Sequence, residues 1–232
     1  MSIRASLLNF VLRKYIKNIQ PPVEERSYLE VREMMSSDEQ SNHNKSIVTK
    51  HLQKIIFQNR ISNIKIKEIY LENIRTLHFT CDDFDSTKCI LYFHGGGYVA
   101  GSPETHQNML ALLAEKSRIQ IFAIDYSLSP ENHYPAAIED ALKSFSNLID
   151  NGFKNENIYF GGDSAGGNLT LASTLKLQQL NKELPSKLFL LSPWTDLTGE
   201  GRSIMDNSVS DPYLSYYNWK DTMRSMQKTA QE

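Results

Sequence analysis

"YFGGDSAGGNL", residues 159–169, sets Ser164 two residues after Gly162 and two before Gly166. The run that leads in, "NIYFGGD", is short and apolar, as a buried strand is. The run that leads out, "GGNLTLASTLKLQQL", reads as a helix. A serine on a strand-to-helix turn at G-x-S-x-G spacing is a nucleophile elbow. The glycines have a steric task, because a side chain at either one would meet the neighbouring strand or helix. The turn lifts the serine hydroxyl to the C-terminal edge of a sheet. There a helix N-terminus offers N–H groups and a positive dipole end to a developing oxyanion. The competing readings are a structural turn and a phosphate loop. The phosphate loop lacks the Lys and Ser/Thr of a Walker motif.

Working outward, "KCILYFH", "IQIFAID", "NIYFGGD" and "KLFLLSP" are strands. They alternate with helices in "ETHQNMLALLAEKS", "AAIEDALKSFSNLID" (ended by Asn151-Gly152) and "GGNLTLASTLKLQQL". This spacing predicts βαβ units and a mostly parallel sheet with helices on both faces. The strands are almost continuously apolar, as strands covered on both faces require. Upstream, "IKIKEIYL" alternates apolar and polar residues. It forms an antiparallel hairpin with "IRTLHFT" across Glu72-Asn73, and "CDDFDST" is a polar turn.

"HGGGYVAGS", residues 94–102, follows the third strand of this count. An HGGG-type loop at that place completes an oxyanion hole. Consecutive glycines let the backbone approach a substrate closely and aim N–H groups inward. The expected donors are the N–H groups of Gly95 and Gly96, with Ala165 on the elbow side. His94 and Gly97 support the loop. Asp163, beside the serine, reads as a hydrogen-bonded turn residue.

Four motifs in order, "HGGGYVAGS", "DYSLSPENHYPAAIED", "GGDSAGGNL" and "SPWTDLT", resemble the hormone-sensitive-lipase-like family of α/β-hydrolase carboxylesterases and lipases. The second motif departs from the family where Ser127 replaces an arginine, and near Asn132 and His133. Asp125, Tyr126, Pro130, Glu131 and Pro135 match. The resemblance implies an α/β-hydrolase fold with an N-terminal helical cap over residues 1–60 and a core over residues 61–232. It further implies hydrolysis of short or medium acyl esters through an acyl-Ser164 intermediate, without metal or cofactor.

In that family the serine is followed by an Asp or Glu and then a His. The His takes the serine proton and the acid orients the imidazole. After Ser164 the acids are Glu183, Asp196, Glu200, Asp206, Asp211, Asp221 and Glu232, and no histidine follows; the last is His133. Asp196 and Asp211 match loop and cap positions upstream of the family's acid. No catalytic acid or histidine is found, and the chain is expected to stop before the last two core strands. Two other readings of the scaffold follow: a ligand-binding protein without turnover, as in the plant gibberellin receptors, which lack the catalytic histidine, or a truncated, non-functional remnant.

The remaining features bound these readings. The chain has 232 residues and a formal net charge of −2, which suits one domain with a small appendage and shows no footprint for nucleic acid. Two cysteines, Cys81 and Cys89, suggest thiols in a reducing, cytoplasmic setting rather than a disulfide framework. No apolar run reaches a bilayer-spanning length, and no signal peptide is expected. Residues 2–19 form a basic amphipathic helix ended by Pro21-Pro22. It suits packing on the domain, with weak contact to an anionic membrane surface as the alternative. The partner is a small ester, and a homodimer is compatible with the sequence.

Overall fold

The alternation of "IKIKEIYL" and the apolar runs that follow it become one sheet. The computed structural model describes residues 63–207. Residues 63–195 fall within one compact unit and residues 196–207 within another. The expected cap helices and the helix at 2–19 lie outside the described residues, as does Asp211.

Strands β1 (Ile64–Leu71) and β2 (Ile74–Cys81) form the expected hairpin. Glu72 takes a positive φ of 54° at its turn. Then come β3 (Asp85–Phe93), helix α1 (Gln107–Ser117), β4 (Ile119–Ile124), α2 (Ala136–Asp150), β5 (Ile158–Asp163), α3 (Ala165–Gln179) and β6 (Lys187–Leu191). The sheet order is β1-β2-β4-β3-β5-β6. The β3–β4, β3–β5 and β5–β6 pairs are parallel, and β2 pairs with β4 antiparallel. The sheet is mixed and mostly parallel, as the alternation of elements predicts.

The period-2 side-chain pattern sorts the strands onto two cores. On one face Leu91, Phe93, Phe122, Ile124 and Phe160 pack against α2 and α3 residues such as Phe145, Leu148 and Leu169. On the other face Ile90, Tyr92, Ile121 and Ala123 meet Leu110, Ala111 and Ala114 of α1. Helix α2 buries Ala141, Ser144, Phe145 and Leu148, a stripe at helical spacing. Phe160 sits between Phe93 and Phe145 in edge-on contacts, with centroids 5.3 and 5.1 Å apart.

Two expectations are adjusted. The polar turn before β3 is shorter than "CDDFDST", because β3 begins at Asp85. The Asp85 N–H donates to Arg118 O (2.8 Å), and its carboxylate accepts from the Thr87 N–H (3.0 Å) and Lys88 Nζ (2.7 Å). Lys88 and Thr87 hold that carboxyl down at about 2. The strand β6, equally apolar in sequence, is not covered on both faces. It is the edge of the described sheet, and Leu188 and Leu191 are 37% and 42% exposed. Cys81 and Cys89 are buried free thiols, and burial pushes the Cys89 thiol up to about 12. Among the described residues no helix is long and apolar enough to cross a membrane.

Candidate active site

Strands β3 and β5 are neighbours and parallel, so their C-terminal ends finish side by side. Phe93 ends one and opens into the glycine loop at His94. Asp163 ends the other and opens into Ser164 and α3. The βαβ order thus brings two segments 70 residues apart onto one edge of the sheet.

Ser164 has φ 52° and ψ −118°, a conformation that a residue with a Cβ enters only under strain. Its backbone is held from three directions. Its N–H donates to Leu191 O (3.1 Å), and its C=O accepts from the Asn168 N–H (3.1 Å) and the Trp194 N–H (2.9 Å). The elbow glycines match the steric reading. A Cβ on Gly162 would strike the Gly166 carbonyl, and one on Gly166 would strike the Phe93 carbonyl. The three pieces touch backbone to backbone, and a methyl group has no room between them.

The glycine loop is fastened to the elbow at both ends. Asp163 Oδ1 accepts from the Gly95 N–H (2.9 Å) and from the Tyr92 hydroxyl (2.8 Å). Its Oδ2 meets His106 Nε2 at 3.2 Å. At the far end the Tyr98 hydroxyl donates to Asn168 Oδ1 (2.7 Å), in the first turn of α3. Between these ties Gly96 and Gly97 have φ 133° and 64°. The Tyr126 hydroxyl donates to His94 O (2.7 Å), behind the loop. Further out Arg75 of β2 binds Glu68 (2.9 Å), Asp125 (3.0 Å) and Glu104, which joins the turn after the loop to the sheet.

One sequence expectation is corrected here. The Gly95 N–H has a single hydrogen, and Asp163 accepts it, so it is not the free donor expected. The N–H groups of Gly96, Gly97 and Ala165 have no hydrogen-bond partner among the described residues. Asp163 is correspondingly more than a turn residue. Burial raises its carboxyl pKa, but the His106 bond and charge and the bonds from Tyr92 and Gly95 outweigh this and lower it.

His94, expected to support the loop, contacts it through the Gly95 carbonyl. It is 1% exposed and stacks on Tyr126 with centroids 4.3 Å apart. Burial lowers its pKa to about 4, so near neutral pH the ring is uncharged. Its Nδ1 lies 2.8 Å from Gly95 O, which only accepts, so Nδ1 carries the proton. Nε2 is buried with no partner among the described residues.

No described histidine is hydrogen-bonded to Ser164. His78 binds Gln120, His94 the Gly95 carbonyl and His106 the Asp163 carboxylate. The Nδ1 of His133 is buried without a partner among the described residues. Asp196 is engaged in its own turn. It accepts from the Thr198 N–H (3.0 Å), the Thr198 hydroxyl (2.6 Å) and the Gly201 N–H (2.8 Å). Sequence reasoning missed Tyr98, His106 and Asn168. Each acts through a contact across the fold, and no local spacing signals it.

The sequence pattern of a family described as alpha/beta hydrolase fold matches residues 90–231. An esterase of Acinetobacter venetianus is 36% identical over 152 residues, which is 66% of this chain and 50% of that protein. The chain spans about half the length, or less, of the curated relatives it matches. The crystal structure of EstE5 soaked with p-nitrophenyl butyrate has a TM-score of 0.82 and 26% identity. The match covers all of this chain and 71% of that one. An esterase of the bacterial hormone-sensitive lipase family superposes with a TM-score of 0.80 at 23% identity, over 99% of this chain and 70% of that one.

Proposed function

Because the chain belongs to the hormone-sensitive-lipase-like branch of the α/β-hydrolase fold family, we propose that it carries the nucleophile half of a carboxylic-ester hydrolase. Ser164 is the nucleophile. The oxyanion donors are the N–H groups of Gly96, Gly97 and Ala165. The observation that carries this reading is the pairing of the strained Ser164 backbone with a glycine loop fastened to it through Asp163 and Asn168.

The chemistry follows from the parts. The serine oxygen attacks the ester carbonyl carbon, and the carbonyl oxygen becomes the oxyanion. Amides without internal partners stabilise that charge where it develops. The carbon–oxygen bond to the alcohol then breaks, the alcohol leaves with the proton that the serine hydroxyl gave up, and an acyl-serine remains for water to cleave. A serine hydroxyl needs a base to be a strong nucleophile, and no histidine follows Ser164 in these 232 residues. In this reading residues 1–60 form a cap that shapes the acyl pocket. The free thiols of Cys81 and Cys89 support a reducing, cytoplasmic setting.

The test is hydrolysis of p-nitrophenyl acetate and butyrate by the purified chain, with covalent labelling by a fluorophosphonate located by mass spectrometry. Label on Ser164 that disappears in Ser164→Ala is the expected result. A cooperatively folded chain that shows neither label nor turnover overturns the reading. Among the described residues no histidine is hydrogen-bonded to Ser164, which favours one second reading, a ligand-binding protein on the same scaffold. Thermal stabilisation by short acyl esters without turnover would select it.

A further inference from the structure

His106 is outside every motif that identified the site, yet its ring is the last partner of Asp163. It closes the 3-10 turn at Glu104–His106, just before α1. The side chains of His106 and Asp163 are 16% and 25% exposed. The groups facing the ring are Asp163 from β5, Tyr92 from β3, with ring centroids 6.4 Å apart, and His94 from the glycine loop, 5.8 Å away. On its own segment Glu104 is held by Arg75, and Thr105 and Ser102 contact the ring.

Both ring nitrogens are engaged. Thr105 Oγ1 lies 2.7 Å from Ser102 O and 2.8 Å from His106 Nδ1. Ser102 O is a further neighbour of Nδ1 at 3.3 Å. The Thr105 hydroxyl can donate or accept, so it suits Nδ1 in either state. At the other nitrogen, the ionised Asp163 carboxylate can only accept, so Nε2 carries the hydrogen of that bond. A half-buried carboxylate that accepts three bonds is well satisfied.

The geometry points to His106 as a positioning residue of the oxyanion loop. Its ring ties Asp163 to the Ser102–Thr105 turn, and Asp163 in turn holds the Gly95 N–H at the root of the loop. Tyr92 orients the same carboxylate from below. Without the His106 bond, Oδ2 loses the one hydrogen-bond partner it has among the described residues, and the carboxylate is free to rotate away from Gly95. The functional meaning of the held loop rests on the ester-hydrolase reading, but the hydrogen bonds and their test do not.

The test is nuclear magnetic resonance on the full-length, 15N-labelled chain, with no ester present. Exchange of the Gly95 amide is read in the unsubstituted chain and in variants of His106. His106→Phe should accelerate it about tenfold, the loss of one charge-assisted bond. His106→Gln, which restores a donor, should reverse most of that acceleration. A purely structural role would slow or speed exchange across the whole fold rather than at Gly95. Unchanged Gly95 exchange in a folded His106→Phe chain overturns the proposal. If that variant does not fold, His106→Ala, which removes the ring without placing an apolar one beside Asp163, is read in the same way. Loss of the ester-hydrolase reading would leave all of these outcomes standing.

Discussion

The Tyr98 hydroxyl donates to Asn168 Oδ1 across 2.7 Å, and so joins a loop after β3 to the first turn of the helix after β5. Tyr98 sits at φ 63°, a left-handed conformation that tyrosine rarely takes. The bond therefore holds a residue in place against its backbone preference. It also sets the spacing between the glycine loop and Ala165.

Tyr98→Phe removes this bond and leaves the Asn168 amide unpaired. The expected cost is about 1–3 kcal/mol, seen as a lower urea midpoint with an unchanged slope. Fluorophosphonate labelling of Ser164 should slow in the same variant. A stability indistinguishable from that of the unsubstituted chain would show that the tie carries no weight.

Ser164→Gly should raise stability by about 1–2 kcal/mol, because glycine takes φ 52° without strain. Ser164→Ala, which keeps the Cβ, should change stability little. Gly166→Ala should act oppositely, since the added methyl meets the Phe93 carbonyl, at a cost of about 3 kcal/mol or failure to fold. Thermal melts of the three variants check this, and a destabilised Ser164→Gly chain would contradict the strain.

His94 gives a pH dependence with a definite sign. Its ordinary pKa is 6.5, and burial lowers the folded value to about 4. Between those values the unfolded chain binds a proton that the folded chain refuses. Stability contributed at this ring is therefore whole above pH 6.5 and is lost as the pH falls towards 4, by about 3 kcal/mol in all. Asp163, with its lowered pKa, adds a loss in the same direction at lower pH. Urea unfolding across this range should show the slope, and His94→Gln should flatten it. A flat profile in the unsubstituted chain would contradict a neutral buried ring.

Phe160→Ala should cost about 3–5 kcal/mol, because it removes the ring between Phe93 and Phe145 and leaves a cavity under the elbow. The melting temperature should fall while the far-ultraviolet circular dichroism of the folded state stays the same. A loss below about 1 kcal/mol would mean that the three rings are not a packed unit.

How much was legible in the sequence depends on how local each signal is. Helix α2 is read to the residue, since "AAIEDALKSFSNLID" has its apolar stripe and its Asn151-Gly152 stop within one segment. The elbow is equally plain, because the steric need for Gly162 and Gly166 arises between residues four apart. The start of β3 at Asp85 was not, because its polar first turn is held by Arg118, which no local pattern reveals. The apolar run "KLFLL" looked the same as the central strands, and its exposure follows from its edge position.

By itself, then, the sequence determined the order of elements, the hairpin followed by parallel βαβ units, and the place of Ser164 on its turn. Periodicity, glycine and turn chemistry act over a few residues, and those are printed in the chain. The tertiary structure alone decided which amides are free. It brought Asp163 to Gly95, across 68 residues, and so removed the donor that the motif nominated first. It set His106 against the same carboxylate and Tyr98 against Asn168. A hydrogen bond has one proton to give. Which acceptor takes it depends on distances that exist only once β3 and β5 lie side by side.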